Sequence, residues 1–212
     1  ACLVGSNAGV CSEHEGGANM SFEDLGLMRT IPKITIYEVS DPVQFSAVLQ
    51  QAYKNRRLSY IRTPRRQIRV MYEAGTDFAS GAVVLRPGSD ISIFAAGLCV
   101  PQALAAAELL AEQNISAEVI DVFRVKPLNA EVLLKSAKKT GLVVSAENHS
   151  VTNGLGSAIA ELLAENLPIP MARIGVKEQF GQVGTTRYLL EKYGLTSTDI
   201  ATKALQLINQ HS

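Results

Sequence analysis

The chain has 212 residues, 47% of them hydrophobic, and its 20 basic and 20 acidic side chains leave a formal net charge of zero. This length and composition suffice for a buried core, and the balanced charge argues against a nucleic-acid binder, which needs a basic surface for phosphate contacts. No stretch approaches the ~20 apolar residues of a membrane span, so we predict a cytoplasmic protein without a membrane segment.

The first part of the chain alternates strand and helix patterns. An apolar strand at 2–4 leads into a polar loop rich in glycine, and a helix that opens near Ser21 ends before Pro32. A strand at 33–39, a helix at 43–53 and a strand at 58–62 follow. Asp41 and Pro42 mark the start of that helix, because a carboxylate caps the free N–H groups and proline suits the first turn.

The second part repeats the alternation after a looser segment at 67–90, in which 81–85 has a hairpin-like pattern. The pattern predicts strands at 91–95, 116–122, 141–146 and 171–176, and helices at 101–113, 130–139, 154–165, 186–193 and 197–208. Such alternation indicates parallel sheets covered by helices. We therefore predict an α/β fold of two parallel-sheet units, residues 1–75 and 90–212, joined by a linker at 76–89.

The loop after the first strand carries a set of polar side chains that could converge on a ligand, since ligands of open α/β sheets bind beyond the carboxyl ends of strands. These residues are Asn7, Glu13, His14, Glu15 and Asn19. The run Glu13-His14-Glu15 could ligate a metal, but consecutive residues rarely converge on one ion. We predict no metal site there.

Two motifs in the second part have a structural and a functional interpretation. Glu147-Asn148-His149, at a predicted strand end, could be an acid–base pair or a hydrogen-bonded turn, and we favour the structural role. Gly154-Leu155-Gly156 is similar to a dinucleotide fingerprint, but the third glycine position holds Ile159. We favour close packing of a helix start.

A basic cluster directly follows the strand at 58–62. Arg62, Arg65 and Arg66 lie there, with Pro64 stiffening the turn. Guanidinium groups bind phosphate oxygens through paired hydrogen bonds, so an anionic substrate is one interpretation. A solvated basic surface is the other, and the sequence leaves both open.

The chain resembles the transketolase family along essentially its whole length. In the first part, Gly5-Ser6-Asn7-Ala8-Gly9, Glu15-Gly16-Gly17-Ala18-Asn19 and Tyr60-Ile61-Arg62-Thr63-Pro64-Arg65 resemble the family's pyrimidine-binding domain. In the second part, Val125-Lys126-Pro127-Leu128, Glu147-Asn148-His149 and Gly154-Leu155-Gly156-Ser157 resemble its C-terminal domain. The resemblance implies the C-terminal section of a split transketolase, and we expect the front portion of its pyrimidine-binding domain to be missing from this sequence.

The resemblance implies an activity and partners. Transketolases use thiamine diphosphate held by Mg²⁺ to move a two-carbon ketol unit between sugar phosphates. An N-terminal subunit would hold the diphosphate and the metal, and the assembly would be a homodimer of this chain within a heterotetramer. The glutamate that activates the cofactor's aminopyrimidine is expected upstream of residue 1. Alone, this chain should not turn over.

The resemblance also implies roles for four residues. Glu15 falls on an acidic residue that contacts a donor hydroxyl, and Asn19 falls on a histidine that assists proton transfer. Asn7 replaces a histidine associated with the sugar phosphate, and Arg65 matches a phosphate-binding arginine. Because an amide donates hydrogen bonds but does not shuttle protons near neutral pH, we expect an atypical ketose phosphate as substrate.

Two other functions remain open. The chain could belong to a relative such as deoxyxylulose-phosphate synthase or the β component of a 2-oxoacid dehydrogenase, which would consume a 2-oxoacid. It could also be a non-catalytic interaction subunit that stabilises a partner enzyme.

Overall fold

The computed structural model of the protein describes residues 1–64 and 70–211. The strands are β1 (Cys2–Ser6), β2 (Thr35–Glu38), β3 (Ser59–Thr63), β4 (Val83–Arg86), β5 (Ile91–Ala95), β6 (Ala117–Asp121), β7 (Arg124–Lys126), β8 (Val143–Ser150) and β9 (Met171–Val176). The α-helices are α1 (Asp24–Arg29), α2 (Pro42–Asn55), α3 (Cys99–Ala111), α4 (Ala130–Thr140), α5 (Leu155–Asn166), α6 (Thr186–Tyr193) and α7 (Ser197–His211). Two short 3₁₀ helices, Gly9–Cys11 and Gly16–Ala18, lie in the loop after β1.

The first sheet has the strand order β1-β3-β2-β7, and β1, β3 and β2 run parallel. Strand β7 pairs antiparallel with β2, although it comes from the second part of the chain. The sequence did not predict β7, because three residues are too short to show a periodic pattern. The two halves of the chain thus share a sheet.

The second sheet has the strand order β4-β6-β5-β8-β9. Strands β6, β5, β8 and β9 are parallel, and β4 is an antiparallel edge strand paired with β6. The run that we expected to form a hairpin in the linker is therefore a strand of this sheet. The predicted α/β fold class with two mostly parallel sheets is confirmed.

The core explains how the sheets come together. One buried cluster joins α3, α6 and α7 to one face of the second sheet, including Ala103, Leu189 and Ala204. A second cluster combines α4 and α5 with Ile36 and Tyr60 of the first sheet. The first cluster also contains Val10, Met20 and Phe22, so the loop after β1 packs on the second sheet, and the N–H of Val10 donates to Asn148 near the end of β8. Within the described ranges, no helix is long and apolar enough to cross a membrane.

Candidate active site

Three of the four predicted site residues meet in the loop that follows β1. The Nδ2 atom of Asn19 donates a hydrogen bond to Oε2 of Glu15 at 3.1 Å, and Nδ2 of Asn7 approaches the same oxygen at 3.4 Å. Glu15 and Asn19 are exposed and Asn7 is half-buried. We call these three residues the amide–carboxylate cluster. Arg65, the fourth predicted residue, lies outside the described residues, as does Arg66.

The loop closes on itself through a buried serine. The hydroxyl of Ser12 donates to the carbonyl oxygen of Asn7 at 2.5 Å and lies 3.1 Å from that of Asn19. Asn7 has a positive φ of 64°, and its N–H donates to Thr63 at the end of β3. Gly16 also has a positive φ, which a glycine adopts without steric cost. These contacts bring residues 7 and 19 to the same carboxylate.

Asn148 attaches this loop to the second sheet. Its Oδ1 accepts from the N–H of Val10 at 3.0 Å, and its Nδ2 donates to the carbonyl of Ala8 at 3.3 Å. Gly9 lies between these two contacts with φ of 64°, and a Cβ there would come within 2.3 Å of the Asn148 amide. The buried amide therefore sets the path of the backbone between Asn7 and Ser12.

Glu13 attaches the same loop at a second point. Its Oε1 accepts from the N–H of Thr186 at 2.6 Å, and its carbonyl accepts from Gly184 at 2.9 Å. Glu13 is buried, whereas His14 and Glu15 are exposed. The carboxylates of Glu13 and Glu15 thus have different hydrogen-bond partners. Among the described residues, no group of three or more His, Cys, Asp or Glu is placed to hold a metal ion.

A buried ionic network lies beneath the cluster, centred on Arg62. Its guanidinium donates to Glu38 at 2.5 Å and to Asp24 at 2.8 Å, and its side chain is 2% exposed. It also donates to the carbonyls of Ser21, at the end of the site loop, and Asn148. Arg62 is therefore an internal hub, and a solvated basic surface is the wrong interpretation for this residue.

Arg62 and Asp24 stabilise each other's charges, whereas burial raises the pKa of the Glu38 carboxyl despite the neighbouring Arg62 charge. Burial disfavours the charge of Asp24, but Arg62 and the hydroxyl of Tyr60, 2.7 Å away, keep the pKa of that carboxyl below its usual value. Burial also disfavours the guanidinium charge, yet Glu38 and Asp24 raise the pKa of Arg62. The hub is a buried cation matched by two carboxylates, whose loss would leave uncompensated charge.

Glu147 and His149 occupy fully buried positions on β8, and both have structural partners. Glu147 accepts from the N–H groups of Leu155 and Gly156 at 2.6 and 2.9 Å, which caps the start of α5. Burial raises the pKa of Glu147 to about 7. Burial lowers the pKa of His149 to about 4, and its Nδ1 lies 2.8 Å from the carbonyl of Ser150. Close packing accounts for the Gly154-Leu155-Gly156 motif, because a Cβ at Gly154 would collide with the Glu147 carboxylate and a Cβ at Gly156 would collide with the Ser145 hydroxyl.

Sequence reasoning missed the residues that hold the cluster in place. Arg62 is a charged residue within an apolar strand, and Glu38 lies beside it in register on β2, so paired charges in adjacent strands were an available signal. Ser12 and Asn148 gave no comparable signal. Their partners are backbone groups, and the sequence does not show which backbone groups will be near.

The geometry defines a class of protein: an α/β protein of two mostly parallel sheets, with a polar cluster beyond the carboxyl end of an edge strand. Two protein-family models match this chain. The transketolase pyrimidine-binding domain matches residues 1–71, and the transketolase C-terminal domain matches residues 80–200. The chain belongs to the transketolase family, as the residues predicted.

Similar proteins include a transketolase subunit and a transketolase C-terminal section. A 6-deoxy-6-sulfo-D-fructose transketolase subunit from Clostridium sp. (strain MSTE9) is 48% identical over 95% of this chain and 63% of its own length. A putative transketolase C-terminal section from Methanocaldococcus jannaschii is 34% identical over 96% of this chain and 65% of its own length. The chain thus spans slightly less than two thirds of these relatives.

A solved structure has the same fold. It is described as a split gene transketolase, an inactive beta4 tetramer, and it superposes with a TM-score of 0.88 at 37% sequence identity. The match covers 99% of this chain and 66% of that one.

Proposed function

We propose that this chain is the C-terminal subunit of a split transketolase. The assembled enzyme would transfer a two-carbon ketol unit from a ketose with a terminal anionic group to an aldose phosphate. The observation that carries this proposal is the amide–carboxylate cluster, in which two amides converge on one carboxylate beyond the carboxyl end of β1. This donor set suits the hydroxyl groups of a sugar, which both accept and donate hydrogen bonds.

We assign thiamine diphosphate as the cofactor, because the chain belongs to the transketolase family. When bound, thiamine diphosphate supplies the nucleophilic carbon and the electron sink for cleavage of the donor's C–C bond. Two amides and a carboxylate contribute no positive charge, so the cluster fits the sugar better than the diphosphate. The family models that match this chain are those of the pyrimidine-binding and C-terminal domains, so we assign Mg²⁺ and the diphosphate to an N-terminal partner subunit.

Each residue of the cluster has a distinct proposed role. The carboxylate of Glu15 accepts a hydrogen bond from a donor hydroxyl and keeps the amides of Asn7 and Asn19 oriented. An amide nitrogen has two N–H groups, so each asparagine retains a donor beyond the one directed at Glu15. Asn19 would stabilise the developing alkoxide by hydrogen bonding without moving a proton. Asn7 and Arg65 would bind the terminal anionic group.

The terminal group that we propose is a sulfonate. The relative named for 6-deoxy-6-sulfo-D-fructose is 48% identical to this chain. A phosphate monoester carries a charge of about −1.5 to −2 near pH 7, whereas a sulfonate carries a single charge. The neutral amide of Asn7, where the family resemblance places a histidine, suits a monoanion better than a dianion. The donor would be 6-deoxy-6-sulfo-D-fructose or a related sulfonated ketose.

The test uses the full-length chain assembled with its N-terminal subunit, thiamine diphosphate and Mg²⁺. The kcat/KM for ketol transfer to D-glyceraldehyde 3-phosphate is measured with 6-deoxy-6-sulfo-D-fructose and, in parallel, with fructose 6-phosphate. We expect at least tenfold preference for the sulfonated donor. Equal efficiency would refute the sulfonate assignment, and no transfer from either donor would refute the transketolase activity. Consumption of pyruvate instead would favour a 2-oxoacid-dependent relative.

The subunit composition follows from the same proposal. The similar structure is described as an inactive beta4 tetramer, and this chain spans only part of its relatives. We propose that the chain alone is inactive and that a homodimer of it combines with two N-terminal subunits. Light scattering of the mixed full-length subunits should give the mass of a heterotetramer. Ketol transfer should be measurable with this mixture and absent with either subunit alone. Activity of this chain by itself would contradict the proposal.

A further inference from the structure

A groove lined by positive charge lies at the opposite end of the first sheet from the amide–carboxylate cluster. One cavity of about 640 Å³ is bordered by Lys33, Arg57 and Lys126, and an adjoining one of about 500 Å³ by Lys54, Arg57 and Arg124. Both share Arg57, so we treat them together as the basic groove. Within the described parts of the chain, no acidic side chain lines either cavity.

The topology separates this groove from the candidate active site. Thr35 begins β2 and Ser59 begins β3, and both residues line the groove. The cluster lies instead beyond the carboxyl ends of the same parallel strands, where Asn7 contacts Thr63. Five residues of β3 span roughly 13 Å at about 3.3 Å per residue. A ligand in the basic groove would therefore not contact the cluster.

Two of the five cations are held by backbone carbonyls and form no ion pair within residues 1–64 and 70–211. Lys126 Nζ donates to the carbonyls of Arg29 and Ile31 at 2.6 and 2.8 Å. Arg124 donates to the carbonyls of Pro127 and Ser80 at 2.9 and 2.8 Å. Carbonyl oxygens satisfy these donors without neutralising the charge. The groove thus has a fixed positive wall.

The other three cations are exposed and have room to turn toward a ligand. Lys33, Lys54 and Arg57 are exposed, and none of them forms an ion pair with a carboxylate in the part of the chain that the structure describes. In a chain with no net charge, five cations around one groove create a local positive potential that attracts an anion. Arginine and lysine together suit a phosphate group, which accepts both paired and single hydrogen bonds.

The groove also has apolar surface between its charges. The buried Ile34 and the half-buried Leu58 line the larger cavity, along with Pro32 and Pro127. Cavities of about 300–1,000 Å³ with mostly apolar walls and a few polar groups are typical of small-molecule sites. A groove with both cations and apolar walls suits a ligand that joins an anionic group to an apolar or aromatic group.

We propose that the basic groove binds a small phosphate ester, such as a nucleotide, at a site separate from the ketol-transfer chemistry. The test uses isothermal titration calorimetry on the assembled full-length enzyme, saturated beforehand with thiamine diphosphate and Mg²⁺, at low ionic strength. ADP and pyrophosphate are the probes, since the first has both an anionic group and an aromatic body and the second has only charge. We expect both to bind, and ADP to bind at least tenfold more tightly.

The variant pair K54Q/R57Q removes two groove charges, and K135Q/K138Q is the matched control. Lys54 lies in the last turn of α2 as Lys138 does in that of α4, and all four residues are exposed, so both pairs remove the same charge from equivalent surfaces. We expect at least a tenfold loss of ADP affinity in K54Q/R57Q and less than twofold in the control. Circular dichroism of both variants checks that they fold alike.

Three results would overturn the proposal. They are no binding of either probe at millimolar concentration, equal ADP affinity in the two variant pairs, or binding by the isolated chain that is lost on assembly. The last result would identify the groove as a protein interface occupied by the partner subunit. None of these results depends on which ketose the enzyme uses, so the proposal can fail while the transketolase proposal stands.

Discussion

Two sets of the same residue types behave in opposite ways in this protein. Glu15 and Asn19 are exposed and hydrogen-bond to each other, with side chains open to a ligand. Glu147 and Asn148 are buried and hydrogen-bond to backbone N–H and carbonyl groups of neighbouring elements. The candidate chemistry therefore lies in the exposed set, and its geometry depends on the buried set, much of which comes from the other sheet.

The largest expected effect comes from Arg62→Met. The variant removes the hub cation and leaves Glu38 and Asp24 buried without their partner. Removing one member of a buried ion pair costs about 3–5 kcal/mol, so we expect a loss of that size in the free energy of unfolding. Urea denaturation measures it. Arg187→Met is the control, because its ion pair with Glu191 is on the surface, and a similar loss there would contradict the interpretation.

The next prediction concerns the pH dependence of stability. The pKa of His149 is about 4 in the folded protein against 6.5 ordinarily, because burial disfavours the charged ring. The contribution of neutral His149 to the free energy of unfolding is therefore fully present above pH 6.5. It is lost as the pH falls toward 4, by up to about 3 kcal/mol at 1.36 kcal/mol per pH unit. Glu147 has the opposite effect on stability. Its pKa is about 7 in the folded protein, so the contribution of the protonated carboxyl to the free energy of unfolding is lost as the pH rises from 4.5 toward 7.

His149→Gln separates these two trends. The variant lacks the pH-dependent stability that comes from His149 and keeps the pH-dependent stability that comes from Glu147. Urea denaturation between pH 4.5 and 7 should therefore show less destabilisation on acidification than in the wild type. Parallel pH profiles for the two proteins would show that His149 does not control this dependence.

A smaller effect is expected from Asn148→Ala. The N–H of Val10 and the carbonyl of Ala8 lose their partner, and an unsatisfied buried group costs about 1–3 kcal/mol. We also expect kcat of the assembled enzyme to fall, because the site loop loses its attachment to β8. Asn166→Ala is the control, because that side chain donates to the carbonyl of Leu162 at the exposed surface of α5. Loss of stability with unchanged kcat would show that Asn148 does not position the loop.

The smallest effect on stability is expected from Asn19→Ala. Its side chain is exposed and, among the described residues, hydrogen-bonds to Glu15 alone, so the free energy of unfolding should change by less than about 0.5 kcal/mol. The kcat of the assembled enzyme should nevertheless fall by about 10²-fold, the usual effect of removing one donor to a developing oxyanion. Unchanged activity would favour the non-catalytic interaction subunit.

The sequence predicted the main helices and strands and the residues of the amide–carboxylate cluster better than the long-range contacts that hold them in place. Asp41 caps α2 through the N–H groups of Val43 and Gln44, as its position before Pro42 indicated. Asn7, Glu15 and Asn19 are 12 residues apart at most, so a loop of that length brings them together with local contacts. Strand β7 was not predicted and β4 was expected only as a hairpin-like run in the linker, because short strands depend on partners that lie far away in the chain.

The sequence by itself determined the family, the α/β class and the identity of three residues in the cluster. The α/β class follows from local pattern and spacing, and the family and the three residues follow from the resemblance of short motifs to transketolases, all of which the order of residues contains directly. Only the tertiary structure decided that Arg62 is a buried hub, that Asn148 and Glu13 hold the site loop, and that five cations surround one groove. Those outcomes depend on packing between residues as much as 173 positions apart, and no local pattern contains that information.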